Sequence, residues 1–254
     1  MSLPFFYISA YDTAQKHLVL DEDTSRHLVQ VLRMKAGELL NLTDGKGNLI
    51  TCEIVEEHKK HCTVLVKETM YKAQSARSVS VAISLIKNAN RFEWFLEKAT
   101  EIGVSEIIPL ICERTEKEKF RQDRMQGIVI SAMLQSQQCW LPLLQEPQQF
   151  KEFVTASSGN ASRFIAHCME GNKQALSDLL KESCGQINSS SHLLISIGPE
   201  GDFTEKEIEQ ALQQGFIPVT LGETRLRTET AGVVAAALLA NVIKTVRSDP
   251  SLLL

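Results

Sequence analysis

Residues 193–231 read LLISIGPEGDFTEKEIEQALQQGFIPVTLGETRLRTETA, and the order of apolar and polar runs in them decides the fold. The apolar run Leu193 to Ile197 breaks into Gly198-Pro199-Glu200-Gly201. A polar, periodic stretch follows, in which Thr204 and Glu207 stand at capping-box spacing and open a helix near Glu205. A second apolar run, Phe216 to Leu221, then breaks into the polar loop Gly222 to Thr230. In an open α/β sheet, loops at the carboxyl ends of strands are where ligands bind. The stretch therefore predicts a site as well as a fold.

Downstream, Ala231 to Val246 is almost entirely apolar, and a helix apolar all round is a buried one. Upstream, strands and helices alternate: a strand over Val79–Ile86, a helix over Arg91–Ile102, a strand over Val104–Ile111, and a long helix over Arg121–Gln138. A short helix near Phe150, a strand over Phe164–His167, a helix over Ala175–Lys181 and a turn over Gln186–Ser191 follow. Such alternation implies a mostly parallel sheet covered on both faces. The first 70 or so residues have another grammar. Short β-branched and aliphatic runs at Phe5–Ile8, Leu18–Leu20, Leu39–Thr43, Leu49–Val55 and Thr63–Val66 predict a small β-barrel, with Gly45-Lys46-Gly47-Asn48 as a hairpin turn. One helix interrupts it, with Thr24 as its cap over Ser25–Arg33 and Leu28, Val31 and Leu32 on one face. The polar stretch Lys72–Ser78 is the linker, so the reading is an α/β class chain with a β-barrel domain at 1–72 and an α/β domain at 73–254.

Net charge is −4 over 254 residues, which leaves no bulk basic footprint, so an RNA partner would require basic residues focused into a patch. The stretch Met1–Thr13 has neither a basic lead-in nor a small-residue cleavage site, and no apolar run reaches membrane-spanning length. A cytoplasmic protein with no membrane partner is expected. The six cysteines include no C-x-x-C pair and read as reduced, small apolar residues. His61 and Cys62 are adjacent and would face opposite sides of a strand, so no metal is expected. Motifs for a P-loop, a dinucleotide-binding Rossmann unit, an α/β-hydrolase elbow and a zinc protease are absent.

Gly198 and Gly201 would let the backbone approach a ligand, but Glu200 and Asp202 argue against a phosphate there and favour a neutral or cationic ligand. The second loop carries Arg225, Arg227 and Glu229 within five residues at the entry to a buried helix. Charges so placed either brace one another, Arg227 with Glu229, or face a substrate.

The combination of GPEG at 198–201 with LGETRLRTETA at 221–231 resembles the RsmE family of 16S ribosomal RNA uridine methyltransferases, of the SPOUT (α/β-knot) superfamily. His27-Leu28 with Val31-Leu32-Arg33, Glu93-Trp94 with Glu97 to Val104, and Cys112-Glu113-Arg114 are similar to further motifs of that family, so the likeness spans nearly the whole chain. It implies an N-terminal PUA-like β-barrel, a C-terminal trefoil-knot parallel sheet, a homodimer, and S-adenosylmethionine as donor for methylation of a uridine N3 of 16S rRNA in the small subunit, near the decoding region. It also implies that His167, Ile197, Gly198, Pro199, Glu200, Gly201, Leu221, Gly222, Leu226, Thr230 and Ala231 hold the donor. Arg227 and Glu229 become the catalytic pair, with Arg227 stabilising the developing anion and Glu229 orienting it or assisting proton transfer; Arg33, Lys98 and Arg114 become RNA contacts. Asp202, Leu134 and Gln138 stand where the family pattern has glycine, glutamate and arginine, and Asp202 is expected to narrow or reshape the donor loop. Methylation at another rRNA or tRNA position, or a non-catalytic RNA-binding assembly role, are the alternative readings.

Overall fold

A computed structural model describes residues 3–75, 77–116, 119–157, 161–182 and 192–247, the side chains of 182 and 242–247 excepted. Ala76 of the expected linker, Cys184 and the expected turn at Gln186–Ser191 lie outside the described residues. The chain divides into two compact units, Met1–Gln74 with Met133–Leu141, and Ser75–Ala132 with Pro142–Leu254.

The first unit is a five-stranded sheet of β1 (Phe5–Tyr7), β2 (His17–Val19), β3 (Leu39–Thr43), β4 (Asn48–Glu56) and β5 (Thr63–Tyr71), in the order β1-β3-β4-β5-β2. Two register shifts between β4 and β5, at Thr51/Cys52 and Ile54/Glu56, curl the sheet around Leu28, Leu40, Leu42, Ile50, Ile54 and Val64. Gly45 (φ 69°) and Gly47 (φ 96°) make the β3–β4 turn, and a Cβ on Gly47 would lie 2.6 Å from the Trp140 ring. Trp140 comes from the far segment 133–141. Its indole donates to Lys72 O at 2.7 Å, while Gly47 N donates to Cys139 O and Leu141 N to Gly45 O. A stretch the linear reading places in the second half thus completes the first unit.

The helix of this unit departs from expectation. It begins at Glu22, not Ser25, because Asp21 accepts from the Thr24 amide at 2.9 Å and from its hydroxyl at 2.8 Å; Thr24 is a donor, not the cap. After α1 (Glu22–Arg26) the chain widens into a π-helical stretch, His27–Val31. The wider turn changes which residues share a face. Leu28 is fully buried, whereas Val31 and Leu32, expected beside it, are 65% and 43% exposed.

The second unit contains β6 (Ser78–Ser84), α2 (Ala89–Ile102), β7 (Glu106–Ile111), α3 (Gln122–Gln135), β8 (Leu143–Leu144), β9 (Gln148–Gln149), α4 (Phe150–Ala156), β10 (Ala161–Ala166), β11 (Gln174–Ala175), α5 (Leu176–Glu182), β12 (His192–Ile197), α6 (Glu205–Gln213), β13 (Ile217–Thr220) and α7 (Thr228–Arg247); the end of α3 falls in the first unit. Its eight strands run parallel in the order β11-β13-β10-β12-β6-β7-β8, with β9 also on β7. β6 and β12 are buried almost end to end, as strands covered on both faces must be. Ala82 faces the cluster of Phe150, Phe153, Phe203 and Phe216 contributed by α4, α6 and their flanks. The next residue, Ile83, points the opposite way, toward α7, where a Cβ on Gly232 would meet it at 2.8 Å and the Phe95 ring of α2 at 2.6 Å. Among the described residues no helix is long and apolar enough to cross a membrane.

Candidate functional site

The site grows from three neighbouring strand ends. Ala166 of β10 is in register with Ile197 of β12 on one side and Val219 of β13 on the other, so the loops after all three leave the same edge of the sheet. They enclose a cleft of about 690 Å³. Of the residues expected to hold a donor, His167, Ile197, Gly198, Pro199, Glu200, Leu221, Gly222, Leu226 and Ala231 line it. Gly201 and Thr230 do not; the Gly201 carbonyl accepts from Arg114 Nη1 at 2.7 Å, and Thr230 lies in the first turn of α7. That helix starts at Thr228, three residues before the expected onset, so Glu229 is a helical residue and not a loop residue.

Local chemistry shapes each loop. A Cβ on Gly198 would lie 3.0 Å from the Phe203 ring and 3.1 Å from its amide nitrogen, so any larger residue would have to push Phe203 back by a few tenths of an ångström. Asp202 sits at φ 65°, a left-handed conformation that aspartate tolerates better than most residues. Its carboxylate accepts from the Cys168 amide at 2.7 Å and the Phe203 amide at 2.9 Å. The residue expected to narrow or reshape the loop lines the cleft and ties the β12 loop to the β10 loop. Thr204 and Glu207 form the capping box, and Glu207 also accepts from the Glu113 amide at 2.9 Å, which fixes the start of α6 against the end of β7. Gly222 stands at φ 146° with nothing within 4 Å of where a Cβ would be, leaving bare backbone in the cleft wall.

The charges are arranged differently from the expected brace. Glu229 is only 6% exposed, and its partner is Arg91 of α2, with Nε 3.7 Å from Oε1; Arg91 Nη1 also lies 3.8 Å from Glu200 Oε1. Glu229 Oε2 is buried without a hydrogen-bond partner among the described residues. Arg227 is exposed in the cleft wall and forms no ion pair among the described residues. Burial, and then the Lys173 ammonium, hold the His167 imidazole below its ordinary pKa, so it is neutral at neutral pH. Lys173 Nζ donates to the His167 carbonyl at 2.9 Å and closes that loop.

Arg91, Cys168 and Lys173 line the cleft, and the reading of the sequence did not single them out. Arg91 carried one usable signal, a cation in the first turn of a helix that directly follows a strand. The three expected RNA contacts differ in availability. Arg33 is exposed at φ 57°, Arg114 is exposed but bonded to Gly201, and Lys98 is held by Glu97 at 2.7 Å and Glu101 at 3.0 Å.

Comparison with known proteins matches residues 73–240 to an RNA methyltransferase domain family and residues 20–67 to an RNA methyltransferase PUA domain family. A curated relative from Synechocystis sp., named Ribosomal RNA small subunit methyltransferase E, is 32% identical over 83% of this chain and 68% of its own length. One of the same name from Bacillus subtilis is 28% identical over 88% and 89%. Among solved structures, a probable rRNA-methyltransferase from Porphyromonas gingivalis superposes with a TM-score of 0.85 at 36% identity, over 96% of this chain and 100% of that one. A Ribosomal RNA small subunit methyltransferase E from Neisseria gonorrhoeae, solved bound to S-adenosyl methionine, gives 0.82 at 29% identity, over 94% and 98%.

Proposed function

The chain belongs to the RsmE family of RNA methyltransferases, and from that premise we propose that it methylates 16S rRNA of the small ribosomal subunit at the N3 of one uridine in the decoding region, with S-adenosylmethionine as donor. The observation that carries the reading is the cleft where β10, β12 and β13 end.

The cleft suits that donor on its own chemistry. The wall contains Glu200 and Asp202 and the bare backbone of Gly198 and Gly222, which accommodate a cation without phosphate. Leu221, Leu226 and Ala231 supply apolar surface, and Ile197 and Pro199 stiffen the floor. When bound, the donor supplies an electrophilic methyl group on sulfonium sulfur. Uracil N3 carries a proton, which must leave as the nitrogen becomes a nucleophile. Glu229 has an oxygen without a donor and is the group to accept or relay that proton, with Arg91 orienting its carboxylate. Arg227, free of ion pairs in the wall, stabilises the imide anion that results. Arg33 and Arg114 contact RNA, and Lys98 contributes as part of its cluster with Glu97 and Glu101. The protein acts as a homodimer in the cytoplasm.

Mass mapping of 16S rRNA from a strain lacking the gene tests the reading. One methylated uridine should disappear and return when the protein is restored; an unchanged methylation map would sink it. In vitro, Arg227→Ala and Glu229→Gln should each slow methyl transfer by roughly 10²–10⁴-fold. Calorimetric donor affinity should stay near wild type, and full-rate transfer by either variant would remove that residue from the mechanism.

A further inference from the structure

S-adenosylmethionine ends in an amino acid, with an ammonium and a carboxylate on one carbon. A wall that recognises such a zwitterion needs a cation and an anion side by side, each with hydrogen-bonding capacity still open. Two charged side chains of the cleft are already engaged. The Asp202 carboxylate accepts from the Cys168 and Phe203 amides, and Lys173 Nζ donates to the His167 and Met169 carbonyls. Glu223, Arg225 and Arg227 are exposed and form no ion pair among the described residues. Arg91 and Glu200 remain, and they are the opposite charges of the wall that lie against each other, Nη1 3.8 Å from Oε1. We propose that this pair receives the amino-acid end of the donor, Arg91 taking the carboxylate and Glu200 the ammonium; this rests on the methyltransferase reading above.

Both side chains are poised for a ligand. Arg91 lies 3.8 Å from Glu200 and 3.7 Å from Glu229, within reach of their charge but beyond hydrogen-bond length. Neither the Arg91 guanidinium nor the Glu200 carboxylate forms a hydrogen bond among the described residues. The two carboxylates thus hold the guanidinium in place while its N–H groups stay available, in the planar fork that matches a carboxylate. Glu200 keeps both oxygens as acceptors for an ammonium. At 38% and 36% exposure the pair is accessible, yet its charges are screened less than they would be on an open surface. The pair also confers selectivity. A zwitterionic end brings one charge to each partner, whereas a nucleotide with phosphate in that place would set its negative charge against Glu200.

The test is calorimetric titration of wild type, Arg91→Gln, Arg91→Lys and Glu200→Gln with three ligands: S-adenosylmethionine, its decarboxylated form, which keeps the ammonium, and methylthioadenosine, which has neither group. Wild type should bind the full donor about tenfold more tightly than the decarboxylated one. Arg91→Gln should weaken the full donor about tenfold and leave the decarboxylated one within about twofold, so the gap between them closes. Glu200→Gln should weaken both and leave methylthioadenosine within about twofold. Arg91→Lys keeps a cation beside Glu229 and loses the planar fork, so its melting temperature should stay at the wild-type value while the gap still narrows. That variant decides the question if Arg91→Gln unfolds early. Equal affinity of wild type for the full and decarboxylated donors, or a gap unchanged in Arg91→Lys, overturns the subsite while leaving the methyltransferase reading intact. If wild type binds none of the three ligands, that reading fails instead.

Discussion

Asp202 occupies a left-handed position in the loop after β12, and its geometry explains how an aspartate is held there. The backbone needs a left-handed conformation there, which costs an ordinary residue about 1–2 kcal/mol. Glycine would meet that need alone, but aspartate also accepts two backbone amides and so links the β12 loop to the β10 loop. A hydrogen bond to a charged acceptor contributes about 1.5–3 kcal/mol. Asp202→Asn keeps the conformation and one of the two bonds, since its NH2 cannot accept from an amide; Asp202→Gly keeps only the conformation, and Asp202→Ala keeps neither. Thermal denaturation and donor titration should therefore rank the variants asparagine, glycine, alanine, from most to least like wild type. An alanine variant equal to the asparagine one would show that the carboxylate does not hold the loop.

At the scale of elements, what could be read in advance was whatever local spacing determines. The Thr204–Glu207 box is complete within four residues, and α6 begins where that spacing placed it. The π-helical stretch at His27–Val31 was not legible, because one extra residue in a turn leaves the apolar spacing unchanged while rotating Val31 and Leu32 outward. The pairing of Arg91 with Glu229 was hidden for another reason: its partners meet only where α2 packs against α7, whereas Arg227 stood nearby in the chain. Gly232 shows which effect wins when local and tertiary demands oppose. In a helix interior, glycine to alanine gains about 1 kcal/mol. Here the added methyl would enter the ring of fully buried Phe95 and the side chain of Ile83, and overpacking costs about 1–3 kcal/mol. Gly232→Ala should accordingly lower the melting temperature by a few degrees. A rise in melting temperature would mean that α7 can slide away from α2 at little cost.

The whole molecule is two units whose sequence boundaries are not single cuts. The pattern of short strands was enough to mark off the first unit, but not to show that it needs Met133–Leu141, since a segment lying after a long helix carries no local sign of the sheet it completes. Trp140 makes that dependence measurable. It packs edge-on against Tyr71 at 6.0 Å, covers the bare face of Gly47 and donates to Lys72 O, all within the first unit. Every residue lining the cleft where β10, β12 and β13 end belongs to the second unit. Removing a half-buried tryptophan side chain should cost the first unit roughly 2–3 kcal/mol, less than the full penalty for a core aromatic. Trp140→Ala should therefore bring forward a separate unfolding transition of the first unit while the calorimetric donor affinity stays within about twofold of wild type. A fragment ending at Gln74 should be less stable than the same unit in the intact chain, for want of the same segment. Donor affinity falling in step with stability in Trp140→Ala would show that the two units do not behave separately, and that the cleft depends on the integrity of the first.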